Sequence, residues 1–122
     1  MRVLVCGSRN YCEAGIVDHV LSRLQISTLI HGGATGADTL AGEWATKRGI
    51  PTEVYPAEWR KYGNSAGPLR NARMLKEGKP DLVIAFPGGR GTRDMVKQAH
   101  GYEVSVKHAL SDFGPIHHSH AG

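Results

Sequence analysis

The chain has 122 residues, 40% hydrophobic and 21% charged, with a formal net charge of +4 and two cysteines. That length predicts one domain around a simple core, and that composition excludes an intrinsically disordered chain. No apolar run approaches the roughly 18 residues of a membrane span, and the positive surplus suits an anionic ligand without forming a basic run.

Residues 2–6 (RVLVC) are short, rich in β-branched side chains and followed by Gly7, the pattern of a buried strand. The start MRVLVCGSRN has one basic residue before its apolar run, which is too short for a signal peptide. A cytoplasmic protein with Cys6 and Cys12 reduced is therefore expected. Ile16, Val17, Val20, Leu21 and Leu24 recur at helical spacing over 13–24. TLIHGG, 28–33, reads as a second strand ending in glycine, and Leu40, Ala41, Trp44 and Ala45 as the stripe of a helix from Ala37 to Arg48, closed by Gly49. PTEVYP, 51–56, is a third strand bracketed by prolines. AEWRKYGNSA, 57–66, is expected as a loop with an aromatic edge. Pro68 marks the first turn of a helix running to Glu77, with Gly78 as its stop. DLVIAFP supplies a fourth strand, 92–100 a helix and EVSVK, 103–107, a fifth strand. Residues 1–110 make the domain, and 111–122, with His117, His118 and His120, are expected to be a flexible tail. The two cysteines form no metal-ligand pattern, the tail histidines imply metal affinity at most, and no metal site is predicted.

Strand and helix alternate, with connections too long for hairpins, so an α/β fold with a parallel sheet covered on both faces is predicted. Right-handed crossovers give the doubly wound order 3-2-1-4-5, whose winding reverses between strands 1 and 4. Ligands of such sheets bind beyond the carboxyl ends of the strands at that reversal.

Three glycine loops fall on this edge: CGSRN after strand 1, HGGATGAD after strand 2 and FPGGRGT after strand 4. Glycine lets a ligand approach backbone N–H groups, and a helix start adds free donors with a partial positive charge. A phosphate-bearing ligand is the expectation. The P-loop pattern GxxxxGK[ST] and the dinucleotide fingerprint GxGxxG after strand 1 are both absent, which argues against a triphosphatase or a standard NAD dehydrogenase. The binding candidates are Gly7, Ser8 and Arg9 in the first loop and Gly32, Gly33, Gly36 and Asp38 in the second. Pro87, Gly88, Gly89, Arg90, Gly91 and Thr92 follow in the third, with Arg70 and Asn71 on the helix before it. Asp38 reads as a helix-start acid or as an acceptor for a ribose hydroxyl, Asp94 as a first-turn acid that complements the helix dipole, and Thr92 as a helix cap or a phosphate contact. Trp59 and Tyr62 are placed to wall a pocket or to cover a sheet edge.

These motifs resemble a known group. PGGRGT after an apolar strand, with GPLRNARM on the preceding helix, is similar to the SLOG superfamily, which includes the Lonely Guy phosphoribohydrolases and the DNA-processing protein DprA. GSR, HGGATGADTLA, AGPLRNARML and PDLVIAFPGGRGTRDMV most resemble its YspA/YpsA-related branch. The resemblance implies a Rossmann-like fold and a nucleotide or ADP-ribose-like ligand, with no further cofactor required. From the phosphoribohydrolases it also implies N-glycosidic cleavage, with Arg70 at the position of their arginine. Their glutamate falls at Met95, and a thioether cannot do a carboxylate's acid–base work.

Binding of a nucleotide derivative is thus the leading expectation. Cleavage of nucleoside monophosphates, using Arg70 with Asp94 or Asp38 as the acid, is the alternative. DprA-like binding of single-stranded DNA comes third, because no basic, aromatic-interleaved stretch supports it. A homodimer is expected from the superfamily's habit, and no membrane partner.

Overall fold

The computed structural model describes residues 1–114. Five short runs pair into one sheet: β1 (Arg2–Cys6), β2 (Thr28–His31), β3 (Thr52–Val54), β4 (Leu82–Ala85) and β5 (Ser105–His108). All neighbouring pairs are parallel, and the spatial order is β3-β2-β1-β4-β5. This is the order that the alternation of strands and helices predicts, with the reversal between β1 and β4.

Successive residues of a strand point to opposite faces, so β1 feeds two cores. Val3 and Val5 pack with residues of α1 (Ala14–Leu21) and α2 (Ala37–Lys47), among them Val17, Leu21, Ala41 and Trp44. Leu4 and Cys6 face the other way, onto Met74, Leu75, Met95 and Ala99. Those four come from α4 (Ala66–Gly78) and α5 (Arg90–Gly101), the helices that cover the second face. Phe86 follows β4 and is 1% exposed, one of the largest side chains in the first core; its burial is worth about 1.5–3 kcal/mol.

Several boundaries differ from the sequence reading, each for a local reason. The 57–66 stretch holds a one-turn helix, α3 (Trp59–Tyr62), and a 3₁₀ turn over Gly63–Ser65. Their side chains stay exposed, so no apolar stripe announces them. Helix α4 starts at Ala66, which makes Pro68 its third residue. The N–H groups of a first turn have no intrahelical acceptor, so proline is tolerated there too. Gly78 is the last helical residue, packed against Ile30, and Lys79 supplies the left-handed cap at φ 47°. Helix α5 starts at Arg90 with Gly89 as its N-cap, which puts Thr92 inside the first turn and Asp94 beyond it. After β5, Ala109 is buried and Phe113 packs on the first core. His117, His118 and His120 lie outside the described residues. No helix among the described residues is long and apolar enough to cross a membrane.

Candidate anion-binding site

The loops after β1, β2 and β4 meet, and their backbones do the joining. The Ser8 N–H donates to the Pro87 carbonyl at 2.8 Å, while the Ser8 carbonyl accepts from Ala37 N at 3.1 Å, the first residue of α2. The Thr35 hydroxyl adds a bond to the Arg9 carbonyl at 3.2 Å. Such approach requires missing side chains at three points. Gly36 has φ +77°, and a β-carbon there would strike the Ser8 and Arg9 carbonyl groups. A β-carbon on Gly88 would collide with the Thr92 side chain and lie 2.9 Å from Ser8 N. Gly7 sits in the same junction, between Ala37 and Phe86.

This packing leaves a row of donors unclaimed. Arg93 N–H is the first of α5 to find a partner, the Gly89 carbonyl at 3.0 Å. Among the described residues, the N–H groups of Gly88, Gly89, Arg90, Gly91 and Thr92 have no protein acceptor. Five amides at the start of a 12-residue helix form a partially positive, anion-seeking surface.

The loop after β2 is held differently, by ionisable side chains. Asp38, in the first turn of α2, is 7% exposed and takes the Gly32 and Ala34 N–H groups on Oδ2 at 3.0 and 3.2 Å. It therefore clasps the preceding loop and makes no cap bond within its own helix. Burial pushes its pKa up, opposed by the Ala34 amide, His31, Arg70 and the Gly32 amide. His31 Nδ1 accepts the Gly33 N–H at 3.0 Å, which assigns the neutral ring's proton to Nε2. Burial lowers the His31 pKa, with the Asp38 charge opposing. Arg70 reaches across from α4 to donate Nη1 to the Gly32 carbonyl at 2.9 Å, and its Nε bonds Asn71 Oδ1 at 3.1 Å. Burial lowers the Arg70 pKa, Asp38 raises it and Arg9 lowers it, yet a guanidinium stays charged at neutral pH.

Asn71, itself buried, joins α4 to α5 by donating to the Gly91 carbonyl at 3.2 Å and to Asp94 Oδ2 at 2.9 Å. Gln98 Nε2 gives the same carboxylate oxygen a second bond at 2.8 Å. Met95 is fully buried in the second core. Cys6, beneath the junction, is buried, and burial first and Asp38 second push its thiol up to about 12, so it stays neutral. Arg9 is exposed, its guanidinium 5.7 Å from the Trp59 ring centre. A hollow of about 650 Å³ next to Arg70 is lined by Pro56, Glu58, Tyr62, Leu69 and Arg73.

Of the candidates read from sequence, the structure thus brings Gly7, Ser8, Gly36, Pro87, Gly88 and Thr92 into one junction. Gly89, Arg90 and Gly91 lie on its exposed rim, and Gly33 is exposed on the second loop at φ +73°. Gly32, Asp38, Arg70 and Asn71 form the adjoining polar cluster. His31 and Gln98 were not foreseen. The signal for His31 is a titratable residue at the end of an otherwise apolar parallel strand, which needs a partner once buried.

Residues 1–62, which carry the first two of these loops, match the model of the YspA, cpYpsA-related SLOG family. The chain belongs to that family. A relative within reach of sequence comparison, the Gene 61 protein of Mycobacterium phage D29, is 38% identical over 117 residues, covering 86% of this SLOG chain and 93% of the phage protein. In three dimensions the chain is similar to DNA processing protein A (DprA) from Streptococcus pneumoniae, with a TM-score of 0.70 at 21% identity. That match covers 92% of the SLOG chain and 53% of DprA, so the chain spans about half the DprA length and the likeness is one of Rossmann-like fold.

Proposed function

We propose that this SLOG protein binds a nucleotide or a nucleotide-derived, ADP-ribose-like molecule, with a phosphate on the amides of Gly88, Gly89, Gly91 and Thr92. The observation that carries the reading is a backbone-bonded junction of three loops at the sheet's reversal, with a row of unclaimed amides on its rim. Arg9 and Arg70 add positive charge on the same edge. Asp38 shapes the loop that faces the sugar, and Ser8, whose hydroxyl oxygen accepts from Asn10 N at 3.0 Å, keeps the first loop turned toward it.

The carboxylates favour binding over cleavage. An acid that protonates a leaving base must be free to approach it. Asp94 is tied by Asn71 and Gln98, Asp38 holds two loop amides, and position 95 carries a buried thioether.

Calorimetry and thermal shift with AMP, ADP, ADP-ribose and NAD test the reading. Saturable binding of at least one is expected, and no binding of any at millimolar concentration overturns it. The fold likeness to a DNA processing protein motivates one competing reading, in which a phosphate of single-stranded DNA meets the same amides. Oligothymidine binding that falls steeply with salt, with no nucleotide binding, favours it.

A further inference from the structure

A second hollow, of about 620 Å³, lies on the other side of α5, between that helix and the chain leaving β5. Its volume falls in the range of small-molecule sites, and it contains neither Arg9 nor Arg70. It shares only its end wall, at Pro87, Gly88 and Thr92, with the junction described above.

Its lining separates into two chemistries. Ala85, Phe86, Val96, Ala109 and Leu110 make an apolar floor and wall, and Leu110 is left 57% exposed. Arg93, Lys97 and His100 recur on α5 at spacings of four and three, so they share one helix face, and His108 stands across from them. Among the described residues, no aspartate or glutamate belongs to the lining. The acids and amides of α5, Asp94 and Gln98, are turned to the α4 side, where Asn71 and the Pro68 carbonyl engage them. The helix thus sorts its polar groups by sign, with cations left toward the hollow. The far wall is held in shape: His108 N–H donates to Asp112 Oδ2 at 2.6 Å, Asp112 N–H returns a bond to the His108 carbonyl at 2.9 Å, and Phe113 anchors the turn on the first core.

We propose that this hollow is a second binding site, for a small organic anion whose body is aromatic or acyl and whose head is a phosphate or carboxylate. The apolar floor takes the body, and Arg93 and Lys97 at the rim take the charge, with the two imidazoles as further donors. The site adjoins the nucleotide reading at Gly88 and Thr92, whose amides that reading uses, while Arg93, Val96, Lys97 and His100 on α5 and the residues after β5 belong to this hollow alone.

The test uses 1-naphthyl phosphate as the probe on the full chain, followed by fluorescence and by amide NMR shifts. One saturable site is expected, with shifts centred on Val96, Lys97, His100, Ala109 and Leu110. The double reversal Arg93→Glu with Lys97→Glu weakens binding by roughly tenfold or more, as does filling the floor with Val96→Trp. The neutral analogue 1-naphthalenemethanol binds roughly tenfold more weakly than the phosphate. Arg73→Glu, on the far side of α4, leaves the affinity unchanged. Because Arg93 and Lys97 are exposed, their reversal keeps the test valid even where Val96→Trp fails to fold. Shifts confined to the glycine junction and Arg70, unsaturable binding, or indifference to the charge reversal would each overturn the proposal.

Discussion

The junction of the three loops and the polar brace of the loop after β2 sit side by side on one edge of the sheet, yet they are held by different means. The first is almost wholly main chain: Ser8 N on the Pro87 carbonyl, Ala37 N on the Ser8 carbonyl, and glycines where any side chain would intrude. The second depends on a carboxylate, an imidazole and a guanidinium, each substantially buried. A surface made of amides answers to shape, because amides do not titrate. A loop braced by Asp38, His31 and Arg70 answers to charge and pH. The two therefore separate in experiment, although both border the same proposed ligand.

The largest expected effect strikes the main-chain side. Gly36→Ala demands positive φ of an L-residue and drives its methyl into the Ser8 carbonyl, at a cost of about 2–4 kcal/mol. Urea denaturation measures it, and a variant as stable as the parent would show that the junction yields. Gly88→Ala comes next, at about 1–3 kcal/mol, since the Thr92 side chain can rotate but Ser8 N cannot retreat far; it should also weaken nucleotide binding.

On the side-chain half, Asp38→Ala orphans the Gly32 and Ala34 amides, one of them buried, for about 1–3 kcal/mol. Faster hydrogen exchange confined to residues 32–35 is the accompanying sign, and unchanged protection there would contradict the clasp.

The smallest effect is a pH dependence. Burial sets the folded pKa of His31 below its ordinary 6.5, so above that pH it is neutral in both states and its contribution is intact. As pH falls through 6.5 the unfolded chain takes up the proton first, and stability declines until the folded ring protonates as well. The Asp38 shift has the opposite sign, since its folded pKa is raised above 3.8 and stability declines as pH rises from 3.8 through the raised folded value. Denaturation midpoints between about pH 7.5 and 5 should slope less in His31→Asn, which keeps an acceptor near the Nδ1 position and cannot titrate. Equal slopes would take His31 out of the account.

The features that sequence exposes best are those with a period. Val3, Leu4, Val5 and Cys6 form an unbroken apolar run because a central parallel strand is covered on both faces, and the alternation with helices dictates the strand order. The glycine loops were legible as a set for the same reason: parallel strands bring every loop of one kind to one edge. Punctuation was less readable. Gly78 looks like a helix stop but serves packing against Ile30, and Lys79, just before Pro80, takes the left-handed cap. Thr92 looks like an N-cap but gives that role up to Gly89. Partners in space were not readable at all. Nothing local in HGGATGAD says that Asp38 turns back onto Gly32, or that Arg70, 38 residues on, closes over it.

The most direct test of the central claim is an amide NMR titration with ADP-ribose, run beside Arg70→Ala. The account predicts saturable downfield shifts of the Gly88–Thr92 amides, and an affinity roughly tenfold lower in the variant. ADP-ribose that binds while those five amides stay unmoved would contradict it.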